Sequence, residues 1–81
     1  MATREQNEKR FKHWRDLPGG GRRYWFDRRG TAGYQRKIKI VDASEQTLFV
    51  VQEIYNDDNV LIERHPKYPV DTGHERLHIE E

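Results

Sequence analysis

Tyr34-Gln35-Arg36-Lys37-Ile38-Lys39-Ile40-Val41 is followed, after a short polar break, by Gln46-Thr47-Leu48-Phe49-Val50-Val51-Gln52-Glu53-Ile54-Tyr55. In the first stretch Ile38 and Ile40 alternate with Lys37 and Lys39, the period-two pattern of a strand with one solvated side. In the second, apolar side chains occupy both parities, which places it centrally in a sheet. The break between them, Asp42 to Glu45, is short enough to make the pair a hairpin.

Reading outward, Asn56-Asp57-Asp58-Asn59 is a turn whose side chains can bond their own backbone. Residues 60–65 form the next strand, and Pro66 and Pro69 stop regular pairing. After Asp71-Thr72-Gly73, alternation resumes over a final short strand, 75–79. Upstream, the aromatic run Arg22-Arg23-Tyr24-Trp25-Phe26-Asp27 suits a strand, and residues 28–33, with two glycines, read as a loop.

The N-terminal residues read as a helix over about 4–17. Thr3 and Gln6 fit a capping box. Glu5–Lys9 and Glu8–Lys12 are favourable i,i+4 pairs. Phe11, Trp14 and Leu17 would form its apolar stripe, and Pro18 with Gly19, Gly20 and Gly21 would end it. The fold class expected is α+β: a short N-terminal helix followed by an antiparallel β-meander of three to five strands. The expected core is Ile38, Ile40, Leu48, Val50, Ile54 and Leu61, joined by Trp25, Phe11 and Trp14.

The chain has 81 residues, one domain's worth, so residues 1–81 are read as a single domain. Charged residues, at 36%, outnumber the 33% that are hydrophobic, so the core must be small. No cysteine is present, which excludes disulfides, thiolate metal sites and thiol nucleophiles. No stretch approaches the apolar length of a membrane helix, and residues 1–10 lack the apolar segment of a secretory signal. A cytoplasmic location is expected, with no membrane partner and no cofactor.

The net charge of +1 conceals a segregation. Residues 1–40 hold 12 Lys/Arg against 4 Asp/Glu, and residues 41–81 hold 3 against 10. Such asymmetry can mark a polyanion-binding surface, or the two halves can neutralise each other in the fold. The basic-aromatic stretch supplies the candidate nucleic-acid-binding residues Arg22, Arg23, Tyr24, Arg28, Arg29, Lys37 and Lys39. Cations meet phosphates and aromatics stack on unpaired bases. On charge alone, Arg22, Arg23, Arg28 and Arg29 should meet a polyanion before Lys37 or Lys39. The bland alternative is core aromatics flanked by solvated arginines.

A second candidate is residues 63–76, where a proline-constrained loop gathers His65, Lys67, Tyr68, His74 and Arg76. Metal-independent RNA cleavage needs a base, an acid and a cation for the phosphorane, and these residue types can fill those roles. A metal site from His65, Asp71, His74 and His78 lacks any established ligand spacing, so no metal is expected. Ser44, the one serine, lies in a turn, and no nucleophilic triad forms around it.

The segments Gln52-Glu53-Ile54-Tyr55 and His65-Pro66-Lys67-Tyr68-Pro69-Val70-Asp71-Thr72-Gly73-His74, with Gly20-Gly21-Arg22-Arg23-Tyr24-Trp25 upstream, resemble a group of short bacterial proteins with a QEIY strand and an HxKYPxDxGH tail. The resemblance spans about residues 11–77. It implies a bacterial or phage origin and a stand-alone small protein, and it brings no activity, cofactor or catalytic residue.

Three functional classes stay open. One is a module binding RNA or another single-stranded polyanion. Another is a metal-independent ribonuclease of the toxin–antitoxin type. The third is a protein-interaction or inhibitor module, which an edge strand could make a homodimer.

Overall fold

The computed structural model describes residues 3–71, 73, 75 and 76, the last two by their backbone alone. It is α+β: one helix, α1 (Arg4–Phe11), then an antiparallel meander of β1 (His13–Asp16), β2 (Arg22–Gly30), β3 (Gly33–Val41), β4 (Thr47–Asn56), β5 (Leu61–Tyr68) and β6 (Glu75–Arg76). The strands lie in chain order across one sheet. The five strands expected from the sequence correspond to β2 to β6, residues 77–79 of the last lying outside the described residues.

The helix is shorter than expected, and its second half is a strand instead. The capping box forms: Thr3 Oγ1 accepts from the Gln6 N–H at 3.2 Å, and Gln6 Oε1 accepts from the Thr3 N–H at 2.9 Å. The helix stops where Lys12 turns left-handed (φ 67°), its N–H bonding the Glu8 carbonyl. An isolated helix of this size is marginal in water. Residues 13–16 gain more by pairing with β2, where His13 stacks on Trp25 and Trp14 tilts against Tyr24. Trp14 is consequently 41% exposed rather than buried in a helical stripe. Pro18–Gly20 makes a single 3₁₀ turn between β1 and β2.

The loop expected over residues 28–33 is also largely strand. β2 and β3 run to a Gly30–Gly33 pair joined by Thr31 and Ala32. Gly33 takes φ 140°, and a side chain there would collide with the Tyr55 carbonyl oxygen and the Asn56 backbone on β4. At the next two turns side chains bond the local backbone, as expected for Asn56 and in addition at Asp42. Asp42 Oδ1 accepts from the Ser44 and Gln46 N–H groups, and Asn56 Oδ1 from those of Asp58 and Val60.

Pairing sorts the side chains. One face of the sheet carries Arg22, Tyr24, Phe26 and Arg28 of β2 against Val41, Lys39, Lys37 and Gln35 of β3. The helix packs on this face. Phe11, Tyr24 and Val41 are its buried centre, with Phe26 against them. The expected core thus shifts. Leu48 is 44% exposed, and Ile38, though buried, lies on the opposite face. An eight-residue helix covers only the β1–β2–β3 side of the sheet, so the apolar residues of β4 and β5 are not enclosed.

Candidate functional site

Of the candidate residues, Arg22 and Tyr24 serve the fold. Tyr24 has no exposed surface, and its hydroxyl donates to Glu45 at 2.9 Å. Burial raises its pKa, and the Glu45 carboxylate raises it further. Arg22 is 7% exposed and is held by Glu8 at 2.7 Å and Asp16 at 2.9 Å, with Trp14 and Tyr24 rings beside the guanidinium. Burial alone would lower its pKa, but the two carboxylates reverse that and hold it above the usual arginine value. Neither side chain can stack on a base or meet a phosphate without unmaking the core. Strand alternation hid this, because it gives parity but not which parity the helix covers.

Arg23 and Arg29 sit on the face away from the helix. There Arg23 lies over Trp25, 4.9 Å from the ring centroid. The same face holds the stacked Tyr34–Tyr55 pair, with Arg36 against both rings and bidentate to Asp27. The hydrogen bonds with Asp27 outweigh burial and raise the Arg36 pKa. Burial and the bond to Glu53 push Tyr55 to about 12.

Arg28, Lys37 and Lys39 are brought together on the helix side. Two adjoining hollows lie there. The larger, about 800 Å³, runs between α1 and β3–β5 and has Phe11, Leu48, Val50 and Tyr68 among its apolar walls, with Arg10, Lys37 and Lys39 as its cations. The smaller, about 260 Å³, is lined by Arg10, Phe26, Arg28, Gln35, Lys37, Gln52 and Lys67. Arg10 and Lys37 are common to both, so the hollows form one cleft with an apolar end and a cationic end.

Lys37 marks the electrostatic centre. Burial lowers its pKa, and the charges of Arg10, Lys67 and Lys39 lower it further. Lys39 is shifted the same way by burial and Arg10, with Glu45 opposing. Its ammonium donates to Asn7 Oδ1 at 2.9 Å. Among the described residues, Arg10, Arg28, Lys37 and Lys67 form no ion pair. Arg22 and Arg36 pair with Glu8, Asp16 and Asp27 of the same basic half, and Arg4 pairs with Glu45 of the acidic half, while these cations are left facing a hollow. Arg10 and Lys67 escaped the sequence reading of this surface because they come from opposite ends of the fold.

The second candidate set divides. Lys67 and Tyr68 line the cleft. His65 pairs in register with Gln52, and its Nε2 meets Asp71 Oδ1 at 2.6 Å. That contact and the Gly73 N–H hold the Asp71 carboxyl below its usual range. His74 and His78 lie outside the described residues, and for Arg76 only the backbone, in β6, is described. Among the described residues no three His, Asp or Glu side chains group as metal ligands, and no helix is long and apolar enough to cross a membrane.

Comparison of the chain with protein-family models, with curated proteins and with solved structures returns no match.

Proposed function

We propose that this domain binds single-stranded nucleic acid, RNA foremost, in the cleft between α1 and β3–β5. The observation that carries the reading is the convergence of Arg10, Arg28, Lys37 and Lys67 on one hollow, none of them in an ion pair among the described residues. Holding like charges together costs free energy that a polyanion returns when it binds. Tyr68, 46% exposed at the apolar end, and Phe26 at the cationic end offer rings for unpaired bases. Stacking of this kind contributes about 1–3 kcal/mol per base. The aromatic contribution comes from these two residues rather than from Tyr24.

The test is binding of a labelled single-stranded RNA across a salt series. The expected result is an affinity that falls steeply and log-linearly with salt, with a slope set by the phosphates neutralised. Absence of binding at low salt ends this reading.

The His65–Asp71 contact favours a second reading, metal-independent RNA cleavage beside the same cleft. A carboxylate that orients an imidazole is a recurring arrangement in acid–base catalysis. Incubating the RNA with protein in excess chelator distinguishes the two. Intact RNA leaves a binder; cleavage lost in His65→Ala with binding kept makes it a nuclease.

A further inference from the structure

The larger hollow of the cleft joins cations to hydrocarbon. Arg10, Lys37 and Lys39 line it together with Phe11, Leu48, Val50 and Tyr68. Among the described residues, no Asp or Glu lines either hollow, although the chain has 14 of them. Glu45, the carboxylate that acts on Lys39, is engaged by Arg4, Asn7 and Tyr24. Leu48 and Tyr68 are 44% and 46% exposed, so apolar surface is left in water. Leu48 and Val50 are the part of the wall that a nucleic-acid strand does not use, because aliphatic side chains offer no face for stacking. A volume of about 800 Å³ falls within the range of small-molecule sites.

We infer that the apolar end of the cleft binds a single fatty-acid chain, its carboxylate on Arg10, Lys37 and Lys39 and its hydrocarbon against Phe11, Leu48, Val50 and Tyr68. This site goes beyond the nucleic-acid reading and does not depend on it. The two ligands share Arg10 and Lys37, so each excludes the other. Charge complementarity selects the head group. Burial and the neighbouring charge of Arg10 disfavour the ammonium forms of Lys37 and Lys39. A carboxylate placed among these groups offsets that penalty, and a cationic amphiphile adds to it. The position of the hollow selects the body. It is recessed between α1 and the sheet, where one flexible chain can enter, whereas a bilayer is met by apolar side chains that project from a surface. Each methylene moved from water into apolar surroundings contributes about fourfold in affinity when fully buried. Affinity should therefore climb with chain length.

The experiment titrates the full chain calorimetrically with laurate, decanoate, acetate and dodecyltrimethylammonium, the amphiphiles kept below their micelle concentrations. Laurate should bind saturably and at least about fivefold tighter than decanoate, while acetate and the cationic amphiphile should not bind. Leu48→Asn and Lys37→Gln, each checked for an unchanged thermal transition, should each weaken laurate at least about fivefold. Absence of saturable laurate binding overturns the site. Equal binding of dodecyltrimethylammonium also overturns it, because an apolar patch alone would then explain both. Laurate binding that either substitution leaves unchanged places the ligand elsewhere and overturns it as well. Protein that floats with phosphatidylglycerol vesicles yet takes up no free laurate makes a bilayer the ligand, against the proposal. Laurate binding without RNA binding at low salt removes the nucleic-acid reading and keeps this site; RNA binding without laurate uptake does the reverse.

Discussion

Tyr24 on β2 and Glu45 in the β3–β4 turn are joined by a 2.9 Å hydrogen bond, and both residues are buried. The same carboxylate accepts from the Asn7 amide and from Arg4, so it ties the helix to the sheet. Glu45→Ala strands the Tyr24 hydroxyl and the Asn7 amide in the interior, each at about 1–3 kcal/mol. Urea unfolding should show a loss of about 3 kcal/mol, against about 1 kcal/mol for Tyr24→Phe. A loss under about 0.5 kcal/mol, the size of an ordinary surface change, would mean the network does not hold the helix.

Acid should act through the same carboxylate. Burial would raise the Glu45 pKa, but the bonds from Asn7, Arg4 and Tyr24 more than offset it, and the native value lies below the ordinary one. A native value below the unfolded one gives stability that is present in full above roughly pH 4.3, the free glutamate range, and lost as pH falls through the native value. Unfolding free energies of the wild type and Glu45→Gln should therefore converge as pH falls below roughly 4.3. A gap that stays constant on acidification would contradict this assignment.

Gly33 should tolerate no side chain. Its φ of 140° and the Tyr55 carbonyl and Asn56 backbone beside it leave no room for a Cβ. Gly33→Ala should cost about 2 kcal/mol or more, because strain at the glycine adds to displacement of β4. Gly19, also at positive φ but with open space around it, is the control. A thermal melt should show the smaller loss for Gly19→Ala.

The two faces of the sheet should differ in their response to charge removal. Arg10→Ala and Lys67→Ala should each weaken RNA binding and lower the magnitude of the salt slope by about 1. Arg23→Ala and Arg29→Ala, on the opposite face, should leave the slope unchanged. The reverse pattern, read by anisotropy across a salt series, would move the interface to the Trp25 side.

Alkaline pH should weaken binding earlier than an ordinary lysine predicts. The native Lys37 pKa lies below its usual value, so its charge is lost at lower pH than that of a solvated lysine. A bound phosphate favours the charged form, so binding takes up a proton, and affinity should fall as pH rises toward roughly 10. Lys37→Arg keeps its charge throughout and should flatten this dependence. A profile identical in both proteins would show that Lys37 does not meet the ligand.

The elements whose identity depends on local pattern were legible in the sequence. Ile38 and Ile40 declare β3, apolar residues at both parities declare β4, and Asn56 makes the turn its side chain favours. The end of the helix was not legible, because Lys12 carries no signal for a left-handed residue and β1 forms only once β2 exists to receive it. Arg22 and Tyr24 look like surface residues until Glu8, Asp16 and Glu45 arrive from elsewhere in the chain. The cleft was least visible. Arg10, Gln35, Gln52 and Lys67 are separated in sequence, and the register that joins them passes irregularities at Ile40/Val41, Val50/Val51 and Ile54/Tyr55. No local pattern sets the outcome of those shifts.

The chain-order meander also orders events in time. Each strand pairs with the one immediately before it, so the sheet can grow by short loop closures, which cost little entropy. The cleft has a different requirement, since Arg10 and Lys67 meet only after β5 has joined β4 and the helix has docked. On the nucleic-acid reading, capacity to bind therefore waits on both events, and a chain paired only as far as β4 would be sheet-like yet inert.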